Sequence, residues 1–449
     1  MGSSEISIEV WDQESVRSFA WSDNLFNLRG TSLNEPATGS IFKVPEYIRA
    51  TDPRAYEPKV ISIGPYHQHN PHLKPMNQVK LLYFNRLLLR NNGVSAEDYI
   101  QLISGLITQS KGCYPENINM RDNDFSKMLL LDGCFIIELL LENHSRNDGQ
   151  RRGDSILDNM STLSLVQFDM LLLENQLPFV VLESLFNLVT GTDEENPSPE
   201  AQSLVKIASE LFSGLIDHLV PLPDRYFPPP ATDFYHLLHL FHACFIASPI
   251  DDPTESMLMT PSASDLMNVD IEFKPKTDRS FSWHISYKQG VVDIFPARLN
   301  SYSNSFYRNL ITFEQCFFRD IRSRIMGYVM LMSCLIDSEV DLNLLRREGI
   351  VAYTLDNHEA TLFFRKLCRD SVLDYSKSYL SHLQDLSSKV WNLYRAEWPR
   401  YKTKLKRSPM KYTYLIASAV FFIVLTILQT VYTVLAYYQP SDSNLRMRT

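Results

Sequence analysis

The sequence predicts a mainly α protein: a helical globular body with a small β-hairpin or sheet, followed by one C-terminal transmembrane helix. Three observations predict it. Apolar residues recur at three- and four-residue steps over most of the 449-residue chain, as in helices with one buried face. Clear apolar–polar alternation is concentrated at residues 281–287. Residues 413–438 contain no Asp, Glu, Lys, Arg or His.

Composition sets the frame. With 45% apolar and 21% charged residues, the chain is neither wholly disordered nor a collagen-like repeat nor a small disulfide scaffold. Residues 395–449 hold nine basic and two acidic residues, which leaves −16 for the remainder of a chain with net charge −9. An acidic body excludes nucleic acid as the expected partner, because a polyanion needs a basic face. The six cysteines form no CxxC pair, so buried free thiols are expected rather than a zinc ribbon or a redox motif.

The elements follow in order. Residues 1–40 are polar and carry Gly30, Pro36 and Gly39, which predicts a loosely ordered arm with a short helix near 10–28. Residues 41–398 form the helical body. Met76, Val79, Leu82, Tyr83 and Leu87 give residues 76–90 helical spacing, and Ser95 with Asp98 makes a capping box before a helix at 96–107. Residues 124–142 and 163–188 are so apolar that both are expected as central helices. Further helices are expected at 199–219, at 232–245 and from 305 onward. In 281–287, Phe281, Trp283, Ile285 and Tyr287 alternate with polar residues, and a turn ending at Gly290 leads into 291–295, which predicts a hairpin. An amphipathic helix at 371–398 grows basic towards its end.

The last segments predict a membrane anchor. Twenty-six residues at about 1.5 Å each reach ~39 Å, enough to cross a ~30 Å hydrocarbon core with tilt. Tyr412, Tyr414, Tyr437 and Tyr438 mark both ends as interfacial anchors do. The segment 399–412 carries Arg400, Lys402, Lys404, Lys406, Arg407 and Lys411, whereas only Arg446 and Arg448 follow in the tail 439–449. The positive-inside rule then puts the body in the cytosol of a single-pass, tail-anchored protein, with the plasma membrane as the expected site. The basic stretch is expected to lie on anionic lipid headgroups. Gln429 lies deep in the span, where a side-chain amide seeks a partner, so self-association through that face is expected.

Several motifs occur in sequence: Ile41 to Pro45, then Tyr56, Pro58 and Ile61-Ser62-Ile63-Gly64-Pro65-Tyr66-His67, with Leu73, Met76 and Lys80 beyond. Asp132-Gly133-Cys134-Phe135 and the run from Asp169 to Phe179 come next, then Asn309-Leu310-Ile311, Phe313-Glu314-Gln315 and Leu425 to Thr430. In this combination the chain resembles the plant family known as domain of unknown function 247. The resemblance covers about residues 41–438. It implies a plant membrane protein with one C-terminal span and no established enzymatic activity. Some members of that family are linked to self-incompatibility in grasses and others to sex determination, which implies recognition or signalling. The chain departs from the family pattern at Gln68, and at Asp270, where a glycine is usual.

Candidate site residues are weighed on their own chemistry. His67, His69 and His72 cluster in a Pro-rich loop without a nearby carboxylate or thiolate in sequence, so a structured turn around Gly64 and Pro65 is the expected role, not a metal site. His236, His239 and His242 step by three along a helix and are expected as buried bundle residues. Glu174, Asn175 and Gln176 interrupt an apolar helix before Pro178 and are expected to repair the kink that a proline makes. Asp132-Gly133 is expected to mark a close contact between helices or a break in one. Glu314 joins these structural candidates through its motif. No cofactor is implied, and no phosphate loop, GxSxG, HExxH or EF-hand spacing occurs. The favoured reading is a non-enzymatic recognition or signalling scaffold with an unidentified protein partner. Its alternative is a membrane-tethered enzyme with a site near His67, Asp132 and Glu174.

Overall fold

The computed structural model describes residues 39–91, 93–147, 153–191, 203–219, 234–245, 261–268, 270–276, 286–288, 290–317, 324–370, 420–431 and 433. Helices dominate among them. A single turn, α1 (Glu46–Arg49), precedes α2 (Met76–Arg90), α3 (Ala96–Gly112), α4 (Asp122–Asn147), α5 (Met160–Asp169), α6 (Phe179–Thr190), α7 (Leu204–Leu219), α8 (Leu237–Phe245) and α9 (Ala263–Met267). After the strands come α10 (Ser303–Cys316), α11 (Arg324–Leu335), α12 (Glu339–Arg347) and α13 (Asn357–Asp370).

The centre is α4, whose run from Cys134 to Leu141 is buried all round and which packs against α2, α3, α6 and α7. Gly133 makes the approach of α6 possible: a β-carbon there would lie 2.4 Å from Leu185 Cδ1. The α3 N-terminus carries the expected capping box, in which the Asp98 amide donates to Ser95 Oγ (3.3 Å) and the Ser95 amide to Asp98 Oδ2 (2.8 Å).

One expectation fails here. Residues 163–188 are not one helix. Helix α5 ends at Asp169, an irregular stretch follows, and Pro178 stands at the N-cap of α6 rather than at a kink. Proline has no N–H and clashes with a preceding helical turn, so a helix start tolerates it and a helix interior does not. The triplet Glu174-Asn175-Gln176 therefore lies between two helices.

Two small sheets flank the helices. The expected hairpin joins β2 (Ser286–Lys288) to β3 (Val291–Ile294), antiparallel, with Ser286 opposite Asp293 and Lys288 opposite Val291. Residues 281–285 lie outside the described residues. On the other side of β3, β1 (Glu272–Pro275) runs parallel from Glu272–Val291 to Pro275–Ile294. The turn before it holds Asp270 at φ 64, the position where a glycine was expected from the resemblance. The short aspartate side chain is among the few that occupy this region at modest cost. A second sheet pairs β4 (Ala297–Leu299) with β5 (Val351–Tyr353) in parallel.

Of the expected span, residues 420–431 and 433 are described; 420–431 are helical, with Phe421, Phe422, Ile423, Ile427 and Leu428 more than half exposed. Among the described residues no helix is long and apolar enough to cross a membrane. The arm 1–38, the helix expected at 371–398, the basic residues Arg400 to Lys411 and the tail lie outside the described residues.

Candidate functional site

The segment from Lys59 to His67 runs from the surface into the interior, where Ile61 to Pro65 are buried, without joining a sheet. Its main-chain groups must nevertheless be hydrogen-bonded, since each buried unpaired group costs ~1–3 kcal/mol. Side chains from three helices and one loop supply the bonds. At the C-terminus of α5, Asp169 accepts from the amides of Lys59 (2.9 Å to Oδ1), Val60 (2.7 Å) and Ile61 (2.9 Å), a nest of successive N–H groups around one carboxylate. Asn175 acts as a neighbouring strand would: its Nδ2 donates to the Ile61 carbonyl (3.0 Å) and its Oδ1 accepts from the Ile63 amide (2.6 Å). Lys80 on α2 donates to the Ser62 carbonyl (2.6 Å), and Asp132 on α4 accepts from the Gly64 amide (2.9 Å). Lys80 Nζ and Asp132 Oδ1 lie 2.5 Å apart, a buried ion pair.

Gly64 is the tight point. It has φ 75, and a β-carbon would fall 2.4 Å from the Gln176 carbonyl oxygen, which also accepts from Tyr114 (3.1 Å). Gln176 holds its own loop in shape: Nε2 donates to the carbonyls of Met170 and Leu172 (both 2.8 Å), and Oε1 accepts from the Leu238 amide of α8 (3.1 Å). The Leu173 amide donates to Asn309 of α10 (2.9 Å), whose Nδ2 donates to the Ala55 carbonyl (2.9 Å).

At the outer end of the segment four charged or titratable groups form a ring. Arg49 donates to Glu57 (3.2 Å) and to Glu174, while His67 Nδ1 lies 3.5 Å from Glu57 and Nε2 lies 3.4 Å from Glu174. By geometry His67 Nε2 forms no hydrogen bond among the described residues, although Glu174 is its near neighbour. Glu174 Oε1 also accepts from the Val44 amide (2.6 Å). Burial would raise the Glu174 pKa, but His67, Arg49 and the Val44 amide outweigh it and hold the carboxyl below its ordinary value. Asp169 goes the other way: burial wins over the three amides and pushes it up to about 6. Burial likewise raises Asp132, against the pull of Lys80 and the Gly64 amide.

The histidines of the 236–242 repeat are buried. The Tyr235 amide donates to His239 (3.3 Å) and the His239 amide to His236 (3.2 Å), so both rings accept from main chain. Burial, with a neighbouring histidine second, lowers His239 to about 4 and holds His236 well below its ordinary value. His242 Nε2 pairs with Glu314 (2.9 Å), and Glu314 accepts from the amides of Ile325 (3.0 Å) and Met326 (3.1 Å) at the start of α11. No group of three or more His, Cys, Asp or Glu placed to hold a metal occurs among the described residues.

Of the candidates, His67, Asp132 and Glu174 thus meet on one buried segment, together with Gly64, Asn175 and Gln176; Glu314 does a similar job elsewhere. Sequence reasoning gave Lys80, Asp169, Arg49 and Asn309 no site role. The signal for Lys80 was present, since a lysine on the face that buries Tyr83 and Leu87 needs a buried partner. Arg49 carries no such signal.

Comparison with known proteins agrees with the motifs. The model of the family DUF247, described as plant protein of unknown function, matches residues 41–428. UPF0481 protein At3g47200 of Arabidopsis thaliana is 27% identical over 432 residues, 90% of this chain and 88% of that one. Putative UPF0481 protein At3g02645 of Arabidopsis thaliana is 24% identical over 192 residues, 43% of this chain and 34% of that one. No solved structure matches. The chain belongs to the DUF247 family of plant proteins of unknown function.

Proposed function

We propose that this protein is a non-catalytic recognition or signalling scaffold held at the plasma membrane by residues 413–438. One observation carries the non-catalytic part. Asp132, Asn175 and Gln176 accept or donate main-chain hydrogen bonds inside the protein, and Glu174 accepts one from Val44 and faces Arg49. Groups committed to holding backbone have little capacity left to move a proton on a substrate. The membrane part rests on the charge-free apolar run, on its basic flank from Arg400 to Lys411, and on the exposed apolar helix at 420–431, a surface that requires lipid or protein cover. With the body cytosolic, partners are a protein of the same compartment and anionic headgroups beneath it.

Sedimentation of plant membranes carrying the full chain tests the anchor. The chain should stay in the pellet through alkaline carbonate and leave it only with detergent, and removal of residues 413–438 should release it. Recovery of the full chain in the carbonate supernatant would overturn the proposal.

The alternative, a membrane-tethered enzyme, draws on His67, whose buried Nε2 makes no hydrogen bond. Glu174→Gln separates the readings: unchanged melting with abolished biological function supports the enzyme, and a matching loss of both supports the scaffold.

A further inference from the structure

The helix at 420–431, continued at 433, is apolar except along one line. Thr426, Gln429, Thr430 and Thr433 follow each other at steps of three, one and three, so at about 100° per residue they fall within a sector about 100° wide. Three of the four have satisfied their own polarity. Thr426 Oγ1 donates to the Phe422 carbonyl (2.7 Å), Thr430 Oγ1 to the Thr426 carbonyl (2.8 Å) and Thr433 Oγ1 to the Gln429 carbonyl (2.7 Å). Bonded back in this way, the threonines present methyl groups and a short, stiff surface that lets another backbone come near. Gln429 carries a larger polar group. Its carboxamide extends from the middle of the line with two donor hydrogens and an acceptor oxygen, on an exposed helix face.

We propose that this line is a helix–helix interface whose occupant is the same segment of a second copy of the chain. The argument for a second copy is complementarity. A carboxamide is its own complement: about a two-fold axis, one N–H of each Gln429 donates to the oxygen of the other, so a single contact pairs a donor and the acceptor of both copies. A lipid tail offers neither donor nor acceptor, and an unrelated apolar helix offers nothing at that depth. The flanking threonines give the same low surface to both copies, as an isologous contact requires. The inference rests on the membrane reading above and adds the partner.

The full-length protein in phosphatidylcholine–phosphatidylserine vesicles supplies the test. Single cysteines are placed on the line (Thr426→Cys, Thr433→Cys) or on the opposite side (Val424→Cys, Val431→Cys), and disulfide dimers formed with copper phenanthroline are measured over a background given by the chain without an added cysteine. Dimers are expected at 426 and 433 and not at 424 and 431. Adding Gln429→Leu to Thr426→Cys should lower the dimer yield about five-fold, and Gln429→Asn should restore part of it. Equal yields on both sides, or a yield indifferent to Gln429→Leu, would overturn the inference while leaving the anchor in place. Failure of the chain to float with the vesicles would instead overturn the membrane reading itself.

Discussion

Gly64 lies against Gln176 so closely that a β-carbon on the glycine would sit 2.4 Å from the glutamine carbonyl oxygen. The contact joins the two parts of the buried network, the segment 59–67 and the loop between α5 and α6. Both neighbours are backbone, so neither can move aside cheaply. The glycine also holds φ 75, a region that L side chains rarely adopt.

Gly64→Ala is therefore expected to destabilise the fold by more than ~2 kcal/mol, combining the dihedral cost with displacement of the 170–178 loop. Gly105→Ala is the matched control, because nothing lies within 4 Å of a β-carbon there and the position is inside α3. It should be neutral or stabilising by up to ~1 kcal/mol. Thermal melting of the two variants checks the contrast.

Asn175 replaces a strand partner for Ile61 and Ile63. Asn175→Ala leaves an amide and a carbonyl buried without partners, and a loss of ~2–5 kcal/mol in chemical denaturation is expected. An effect below ~1 kcal/mol would mean that the segment finds other partners.

Lys80 and Asp132 should behave as a buried pair. Lys80→Met strands a carboxylate that is 2% exposed and is expected to cost ~3–5 kcal/mol, whereas Lys80→Met with Asp132→Asn should recover part of that loss. A double variant as unstable as the sum of the singles would contradict the pairing.

Asp169, at the end of α5, and Glu174, within the loop that follows, should give opposite pH trends. Glu174 is held below its ordinary 4.5, so its stabilisation is present above that value and is lost as pH falls through the folded value. Glu174→Gln should then cost most near pH 7 and progressively less in acid. Asp169 is raised from 3.8 to about 6, so the folded state binds its proton more tightly and the favourable term fades as pH rises from 4 to 6. The penalty of Asp169→Asn should shrink over that window. Melting temperatures at pH 3, 4, 5, 6 and 7 distinguish the two.

Helix α2 and the Ser95 capping box were legible because their signals are local and periodic. The break after Asp169 was not, and the reason is physical. Met170, Leu171, Leu172 and Leu173 continue an apolar run that suits a helix, yet the carbonyls of Met170 and Leu172 are held by the Gln176 side chain instead of by helix amides. A side chain that replaces the helix ladder leaves no trace in periodicity. The triplet stands out as polar in an apolar run, but its partners, Ile61, Ile63 and Val44, lie more than 100 residues away in sequence. Strands β1, β4 and β5 were missed because three or four residues in parallel pairing give no readable alternation. At 270 a glycine was the expected residue, and aspartate meets the same backbone demand.

Amide hydrogen exchange at Val60, Ile61, Ile63 and Gly64 addresses most directly the claim that side chains fix this buried segment. In the full chain these four amides are expected to exchange only as slowly as global unfolding allows, and Asn175→Ala should accelerate Ile63 before the amides of α4. Exchange of all four at the rate of a surface loop, under conditions where α4 stays protected, would contradict it.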